Sequence, residues 1–175
     1  MSIGTSNKVP ATWGDTVRVV IGEMSDARAI GEAVKGSDVV VSALGPSMDR
    51  KATSLPLVEG TRHILDAMER HSITATSGTE TPSILDPQEK PTFQTRLIGF
   101  MGRTIFKRAY DELLGMTQPI KSSGVDWSIV RFSAPKDRPM QGNLRVGFYG
   151  NDKTGFPVSR ADIAAFTAAQ VDDTA

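Results

Sequence analysis

Few residues in this 175-residue chain are of types that do chemistry by themselves. There is no cysteine, which excludes disulfides and thiolate metal sites. The two histidines, His63 and His71, lie eight positions apart with no third ligand candidate close by, so their spacing does not describe a metal centre. The most suggestive stretch is instead a backbone feature. Asp38-Val39-Val40-Val41 is an apolar, β-branched run that passes into Ser42-Ala43-Leu44-Gly45. Small residues at the end of a strand let the main chain approach a bound molecule closely, so this end is a candidate site edge.

That segment sits in a chain of ordinary globular make-up, with 39% hydrophobic and 23% charged residues, the length and composition of one domain. Twenty basic and twenty acidic residues give a formal charge of zero. No basic stripe with interleaved aromatics is present, so nucleic acid is not an expected partner. Apolar runs reach four or five residues, far short of the roughly 20 needed to cross a bilayer, and no membrane partner is expected. Met1-Ser2-Ile3-Gly4 lacks a charged-then-apolar leader pattern, so the expected compartment is the cytosol.

The elements that must position Ser42–Gly45 can be read from periodicity. Val17 to Gly22 reads as a buried strand, and Ser25 or Asp26 as the cap of a helix carrying Ala27, Ile30 and Val34 up to Lys35-Gly36. Asp38 to Gly45 reads as a strand covered on both faces. Leu57, Thr61, Ile64, Leu65 and Met68 share one face of a helix reaching about His71. Ile73 to Ser77 suggests a third strand, and Pro82 to Pro91 is rich in turn residues. From Thr92 to Ser123 the pattern is mainly helical, weakened or kinked at Gly115 and Pro119. Val125 to Phe132 reads as a further buried strand. After a Pro/Gly-rich stretch, the alternation of Leu144, Val146 and Phe148 suggests an edge strand. Ser159-Arg160-Ala161-Asp162 then caps a last helix with Ile163, Phe166 and Ala169.

Strands alternating with helices at this spacing imply βαβ units, a parallel sheet and ligands at the carboxyl ends of the strands. The fold class is α/β. The expected division is an irregular segment over residues 1–16 and a single domain over 17–175.

Four segments, taken in order, resemble the atypical short-chain dehydrogenase/reductases that bind NAD(P), a group that includes flavin reductases and nitrogen-metabolite-repression regulators. They are Val19 to Asp26, Asp38 to Gly45, Ser123 to Phe132 and Val158 to Ala164. The resemblance implies a Rossmann-like three-layer sheet with helices on both faces, NADP or NAD as cofactor, and a flavin- or quinone-like substrate. It places Glu23 and Met24 beside the adenine, where an aspartate is more usual. It runs Ser42, Ala43, Leu44 and Gly45 past the ribose and nicotinamide, and sets the acceptor near Phe132 and Tyr110. It makes Ser83, in Thr81-Pro82-Ser83, and Tyr110 the candidate catalytic residues.

Two departures from that pattern have consequences. No GxGxxG or GxxGxxG occurs, so the glycine-rich phosphate loop is missing. By the resemblance Val17–Gly22 corresponds to a third strand, and the first two strands would be absent from the middle of the sheet. That expectation implies exposed inner edges, with self-association through them unless the sheet closes up or another chain fills the gap. The second departure concerns Tyr110. Such enzymes pair a tyrosine with a lysine four residues later, but Leu114 stands there, and Lys107 and Lys121 are out of position. A tyrosine with a pKa near 10 and no adjacent cation moves protons poorly at neutral pH. Hydride transfer needs no such pair when the protein acts by positioning. The alternatives to a reductase are a non-catalytic nucleotide-sensing or interaction module and an inactive truncated paralogue.

Overall fold

The β-branched runs become short parallel strands, and the 3.6-residue apolar patterns become the helices that cover them. The computed structural model describes residues 2–3, 9–47, 49, 52–80, 87–132, 134–154 and 157–172. Strand β1 (Ser2–Ile3) pairs in parallel with β2 (Ile21–Gly22), and a 3-10 helix spans Ala11–Thr16 between them. The first sixteen residues, expected to be irregular, therefore hold two short regular elements. Helix α1 (Ala27–Val34), strand β3 (Val39–Ser42), helix α2 (Pro56–Arg70) and strand β4 (Ala75–Glu80) follow. Helices α3 (Phe93–Thr104) and α4 (Lys107–Ser122), strand β5 (Asp126–Arg131) and helix α5 (Arg160–Asp172) complete the order.

Strands β3, β4 and β5 form one parallel sheet in that order, with Ser77 of β4 set between Val41 and Ser128. The β1–β2 pair is a separate sheet. Among the described residues no strand joins the two sheets, so the gap anticipated between residues 22 and 38 is a break in the ladder there, with β3 at the edge of its own sheet. Val41 on that edge is 50% exposed.

Three sequence expectations are corrected. The strand at 17–22 shrinks to two residues, because a ladder needs a partner and β1 offers only two positions. Arg18 instead donates from Nη2 to the carbonyls of Ala33 and Lys35, closing the C-terminus of α1. The helical stretch 92–123 is two helices, broken at Ile105–Phe106. Both N–H groups there bond the Met101 carbonyl, and the Phe106 carbonyl then starts α4 by accepting from Tyr110. Residues 144–148 form no strand. The N–H groups at the end of that segment go to carboxylates, Phe148 to Asp152 Oδ2 at 2.8 Å and Tyr149 to Glu89 Oε1 at 3.1 Å, where a strand would give them to a neighbour.

Successive residues of β3 face opposite layers. Val40 packs against a core built from Met24, Ile30 and Val34 on one side and Leu57, Ile64, Ala67, Met68, Ile73 and Met116 on the other. This is the layer of α1, α2 and α4. Val41 faces α5 across the sheet. Helix α2 is the centre of the first layer, and Ala67 and Met68 are fully buried. Its approach to its neighbours depends on glycine: a Cβ at Gly60 would lie 2.7 Å from Met24 Cβ, and one at Gly115 of α4 would lie 2.6 Å from Val58 Cγ2. Gly115 is therefore a packing contact inside a continuous helix. The C-terminus of α2 closes with a left-handed Ser72 (φ 57°), with Ile73 N–H bonding Met68 O and Ser72 N–H bonding Glu69 O. This is a Schellman closure whose apolar contact, Ile73 with Met68, lies in the core and aims the chain into β4.

The N-terminus of α2 is closed from a different helix. Glu112 of α4, 1% exposed, accepts the Leu57 N–H on Oε1 at 3.0 Å and Arg108 Nη1 on Oε2 at 3.1 Å. Arg108 also donates to the carbonyls of Ser54, at 2.7 Å, and Ser47. One buried ion pair thereby holds α2, α4 and the loop leaving β3 together. Glu112→Ala is expected to lower the unfolding free energy by about 3–5 kcal/mol, because it strands a partly buried guanidinium and a helix N–H. Arg108→Met combined with Glu112→Leu should recover part of that loss; urea unfolding of the single and double variants measures both.

Candidate cofactor groove and adjoining cavity

The carboxyl ends of β3 and β5 flank the exit of β4, and α5 crosses above them. Between them lies a groove of about 540 Å³. Its sheet wall is Val41, Ala43 and Phe132, and its helix wall includes Ile163, Ala164, Thr167 and Ala168, with Arg160 among its lining residues at the start of α5. The alanines, four apart, keep the helix face shallow. A second cavity of about 260 Å³ shares Phe132 and Ile163 with the groove and is bounded by Phe148, Tyr149, Phe166 and Arg145. Arg145 makes no ion pair among the described residues.

A buried bidentate pair is part of that second cavity. Arg131 donates from Nη1 to Glu89 Oε2 at 2.6 Å and from Nη2 to Oε1 at 2.8 Å, and the Glu89 side chain is fully buried. Lys90 N–H bonds Tyr149 O at 3.0 Å, and Asn151 Nδ2 bonds Gln88 O at 2.7 Å. These bonds pin the segment after residue 147 against residues 88–90, giving the aromatic wall a fixed support. The two charges face each other in a planar fork, the geometry in which a buried pair repays most of its desolvation.

The start of α5 is held by Asp162. Ser159 Oγ donates to Asp162 Oδ2 at 2.6 Å and accepts the Asp162 N–H at 2.9 Å, the capping arrangement legible in Ser159-Arg160-Ala161-Asp162. The N–H groups of Gln141 and Gly142 also reach the carboxylate. The Ser159 hydroxyl, then the Gly142 and Gln141 N–H groups and the Arg138 charge, hold its pKa below the ordinary 3.8 against a smaller opposing effect of burial. The chain from 138 to 142 is tied to α5 through this one side chain.

Of the residues expected at the site, Ala43 and Phe132 meet in the groove. Ser42 ends β3, and at Gly45 nothing among the described residues lies within 4 Å of where a Cβ would be. Leu44 turns into the core. Met24 is 3% exposed and packs in the same core, with its carbonyl bonded to His63 Nδ1 at 3.1 Å, so only its backbone is left for a ligand. Glu23 is exposed, and its carbonyl accepts from Asp26 N–H. Tyr110 lies half-buried on α4 with the Arg103 guanidinium 5.9 Å from its ring centre, and it lines neither cavity. Ser83 lies outside the described residues. Sequence reasoning missed Arg160, Thr167, Glu89 and Arg145. For the Glu89–Arg131 pair, 42 residues apart, no local signal exists.

The groove offers a flat ligand an apolar floor and a buried Thr167 hydroxyl with no partner among the described residues. The buried hydroxyl of Ser77, in register with Val41, is likewise unpartnered. For the phosphates the arrangement differs from the usual helix N-terminus. Asp26 caps α1, Glu112 closes α2, Thr92 caps α3 and Ser159 caps α5. Two of these caps are carboxylates, which disfavour an anion beside them, and α4 begins at Phe106 without a side-chain cap. No helix among the described residues is long and apolar enough to cross a membrane, and no cluster of three or more His, Cys, Asp or Glu there could hold a metal ion.

A parallel sheet with helices on both faces and a groove at its carboxyl edge defines a Rossmann-like nucleotide-binding protein. The chain belongs to the NAD(P)H-binding family, which matches residues 4–174, and a nicotinamide dinucleotide is its ligand. Solved structures share the fold. The ChuY anaerobillin reductase of Escherichia coli O157:H7 is 18% identical, with a TM-score of 0.73 over 99% of this chain and 77% of that one. A wide-type short-chain dehydrogenase/reductase from Veillonella parvula, solved with NADP, is 15% identical, with a TM-score of 0.69 over 97% and 72%. An epimerase-like protein of Bacteroides thetaiotaomicron is 18% identical, with a TM-score of 0.59 over 89% and 70%.

Asp162 gives the site a pH signature. A carboxylate whose folded pKa is depressed stabilises the fold above its unfolded pKa and loses that contribution as pH falls through the folded value. Wild type is expected to melt above Asp162→Asn at pH 7, and the two curves should converge as pH drops below 3.8. A gap in melting temperature that persists at low pH contradicts this role.

Proposed function

We propose that this chain is an NAD(P)H-dependent reductase of a flavin- or quinone-like small molecule. The observation that carries the reading is the pairing of two adjoining hollows that share Phe132 and Ile163, one at the carboxyl edge of the sheet and one lined by aromatic rings. A flat acceptor suits the second hollow, where Phe148, Tyr149 and Phe166 supply apolar faces and Arg145 a cation for an electron-rich edge. Both NADP and NAD remain candidates, and the NADP complex of the Veillonella protein makes NADPH the first to try.

When bound, the dinucleotide supplies the hydride. Val41 and Ala43 present an apolar surface to the ring and exclude water from one of its faces. Ser42 and Gly45 pass their main chain along the ribose, and Glu23 with the Met24 backbone borders the adenine. Arg160 is the cation that lines the groove, where it can meet phosphate charge. Its Nε bonds Asp137 at 2.7 Å in an exposed pair that a phosphate can replace at little cost. Tyr110 stacks with Arg103 and stands apart from both hollows, so the residues that act do so by positioning. Ser83, three residues past the end of β4 in the sequence, is the candidate donor of a hydrogen bond to the acceptor.

Calorimetric titration with NADPH is expected to give micromolar binding, and Ala43→Phe, which fills the groove, should weaken it by about tenfold or more. Oxidation of NADPH with FMN or menadione should follow in steady state. Absence of binding by the folded protein overturns the cofactor reading, and binding without turnover favours a nucleotide-sensing module. Tyr110→Phe should leave the steady-state rate within about threefold, because a general acid would be worth roughly 10²–10⁴; a loss of that larger size would restore Tyr110 as the catalytic acid.

A further inference from the structure

Helix α3 is amphipathic in the inverted sense. It buries its smallest side chains, Thr95 and Gly99, and exposes its largest: Phe93 is 82% exposed, Phe100 64%, Leu97 48% and Met101 37%, with Ile105 just beyond at 50%. Phe93, Leu97 and Phe100 follow the i, i+4, i+7 rule, so they form one stripe, which Met101 and Ile105 widen. The face runs about 18 Å at 1.5 Å per residue. Single exposed apolar residues are common, but four on consecutive turns of one helix, extended by Ile105, form a patch of the kind that marks an interaction surface.

The charges beside the stripe decide what fits it. The chain as a whole is neutral, yet no acidic residue occurs between Glu89 and Asp111, while Arg96, Arg103, Lys107 and Arg108 all do. Lys107 is paired with Asp111 and Arg108 with Glu112. Arg96 and Arg103, seven residues apart and both exposed, therefore form a row along one flank of the apolar face. In an antiparallel pairing with a second copy, the two-fold axis would set both arginine rows on the same side, opposite each other, an arrangement that like charges disfavour. A plane of anionic headgroups has no such conflict: the phenylalanines enter the acyl boundary while the guanidiniums stay at headgroup level.

We infer that α3 is a membrane-surface contact, by which the protein rests its Phe93–Ile105 face on an anionic lipid layer without spanning it. The inference is independent of catalysis and of cofactor binding. It accounts for an apolar face that neither the core nor the groove uses.

The test is co-sedimentation of the full chain with sucrose-loaded vesicles of phosphatidylcholine alone and of phosphatidylcholine mixed with phosphatidylglycerol, together with sedimentation velocity of the protein alone. The expected result is a monomer that sediments with the mixed vesicles and not with the neutral ones, and less so as salt rises. Phe93→Ser with Phe100→Ser should cut the bound fraction at least about tenfold, and Arg96→Gln with Arg103→Gln should remove the preference for phosphatidylglycerol. The melting curve of Phe93→Ser with Phe100→Ser should match wild type, because both side chains are exposed, and that of Arg96→Gln with Arg103→Gln should lie close to it, since only the exposed stack of Arg103 on Tyr110 is lost. No binding to either vesicle overturns the inference, as does binding indifferent to anionic lipid. A dimer in solution that Phe93→Ser with Phe100→Ser converts to monomer assigns the face to a second copy instead.

Discussion

The buried Glu112 carboxylate is the contact on which the rest of the architecture depends. It reaches from α4 to the first turn of α2, and through Arg108 it reaches the loop that leaves β3. Three pieces of chain that are far apart in sequence converge on two side chains one helical turn apart. A buried pair of this kind contributes little net stability compared with an apolar replacement, but it admits only one arrangement. That arrangement sets where the Ser42–Gly45 segment emerges over the sheet. The groove is thus shaped by an interaction on the opposite layer.

The two faces of the three-stranded sheet are built to different densities. On one, α1, α2 and α4 interdigitate, with glycines at the crossing points and methionines filling the remaining space. On the other, α5 brings Ala164 and Ala168 toward Val41 and leaves a hollow between them. The pleat makes this possible, since Val40 and Val41 belong to different layers although they are neighbours. Ser77 and Thr167, polar and buried, add unsatisfied hydroxyls to the sparsely filled side. Apolar walls with a few unsatisfied polar atoms are what a heteroaromatic ligand requires.

Charge is distributed with a comparable division of labour. Four carboxylates serve the backbone as helix caps or fork partners: Asp26, Glu112, Asp162 and Glu89 each receive N–H groups of the chain, all but Asp26 from buried positions. The guanidiniums of Arg160 and Arg145 face the hollows, and those of Arg96 and Arg103 lie outside. Capping α1, α2, α3 and α5 with side chains stabilises the fold locally and occupies N–H groups that commonly receive anions. Any phosphate recognition at the groove then falls to side-chain cations, with the stronger salt dependence that this brings.

The fold class and most element positions were legible in the amino-acid pattern because they depend on local periodicity. The apolar stripe of α2, the Asp26 and Ser159 caps and the β-branched run before Ser42 each specify an element within a few turns of chain. The alternation of Leu144, Val146 and Phe148 misled, since period two states which side chains point together but not whether a strand is there to pair with. The same limit shortened the 17–22 strand. Ala43 could be placed at a ligand edge by its position after a buried strand, but Met24 could not be told from a core residue, because both environments accept an unbranched apolar side chain. By itself, then, the sequence determined an α/β chain with small residues at the carboxyl end of β3, the candidate ligand edge. Only the tertiary structure decided that Phe132 and α5 complete that edge, that Tyr110 stands away from it, and that α3 turns its phenylalanines outward. Those outcomes depend on distances between residues that no local periodicity relates.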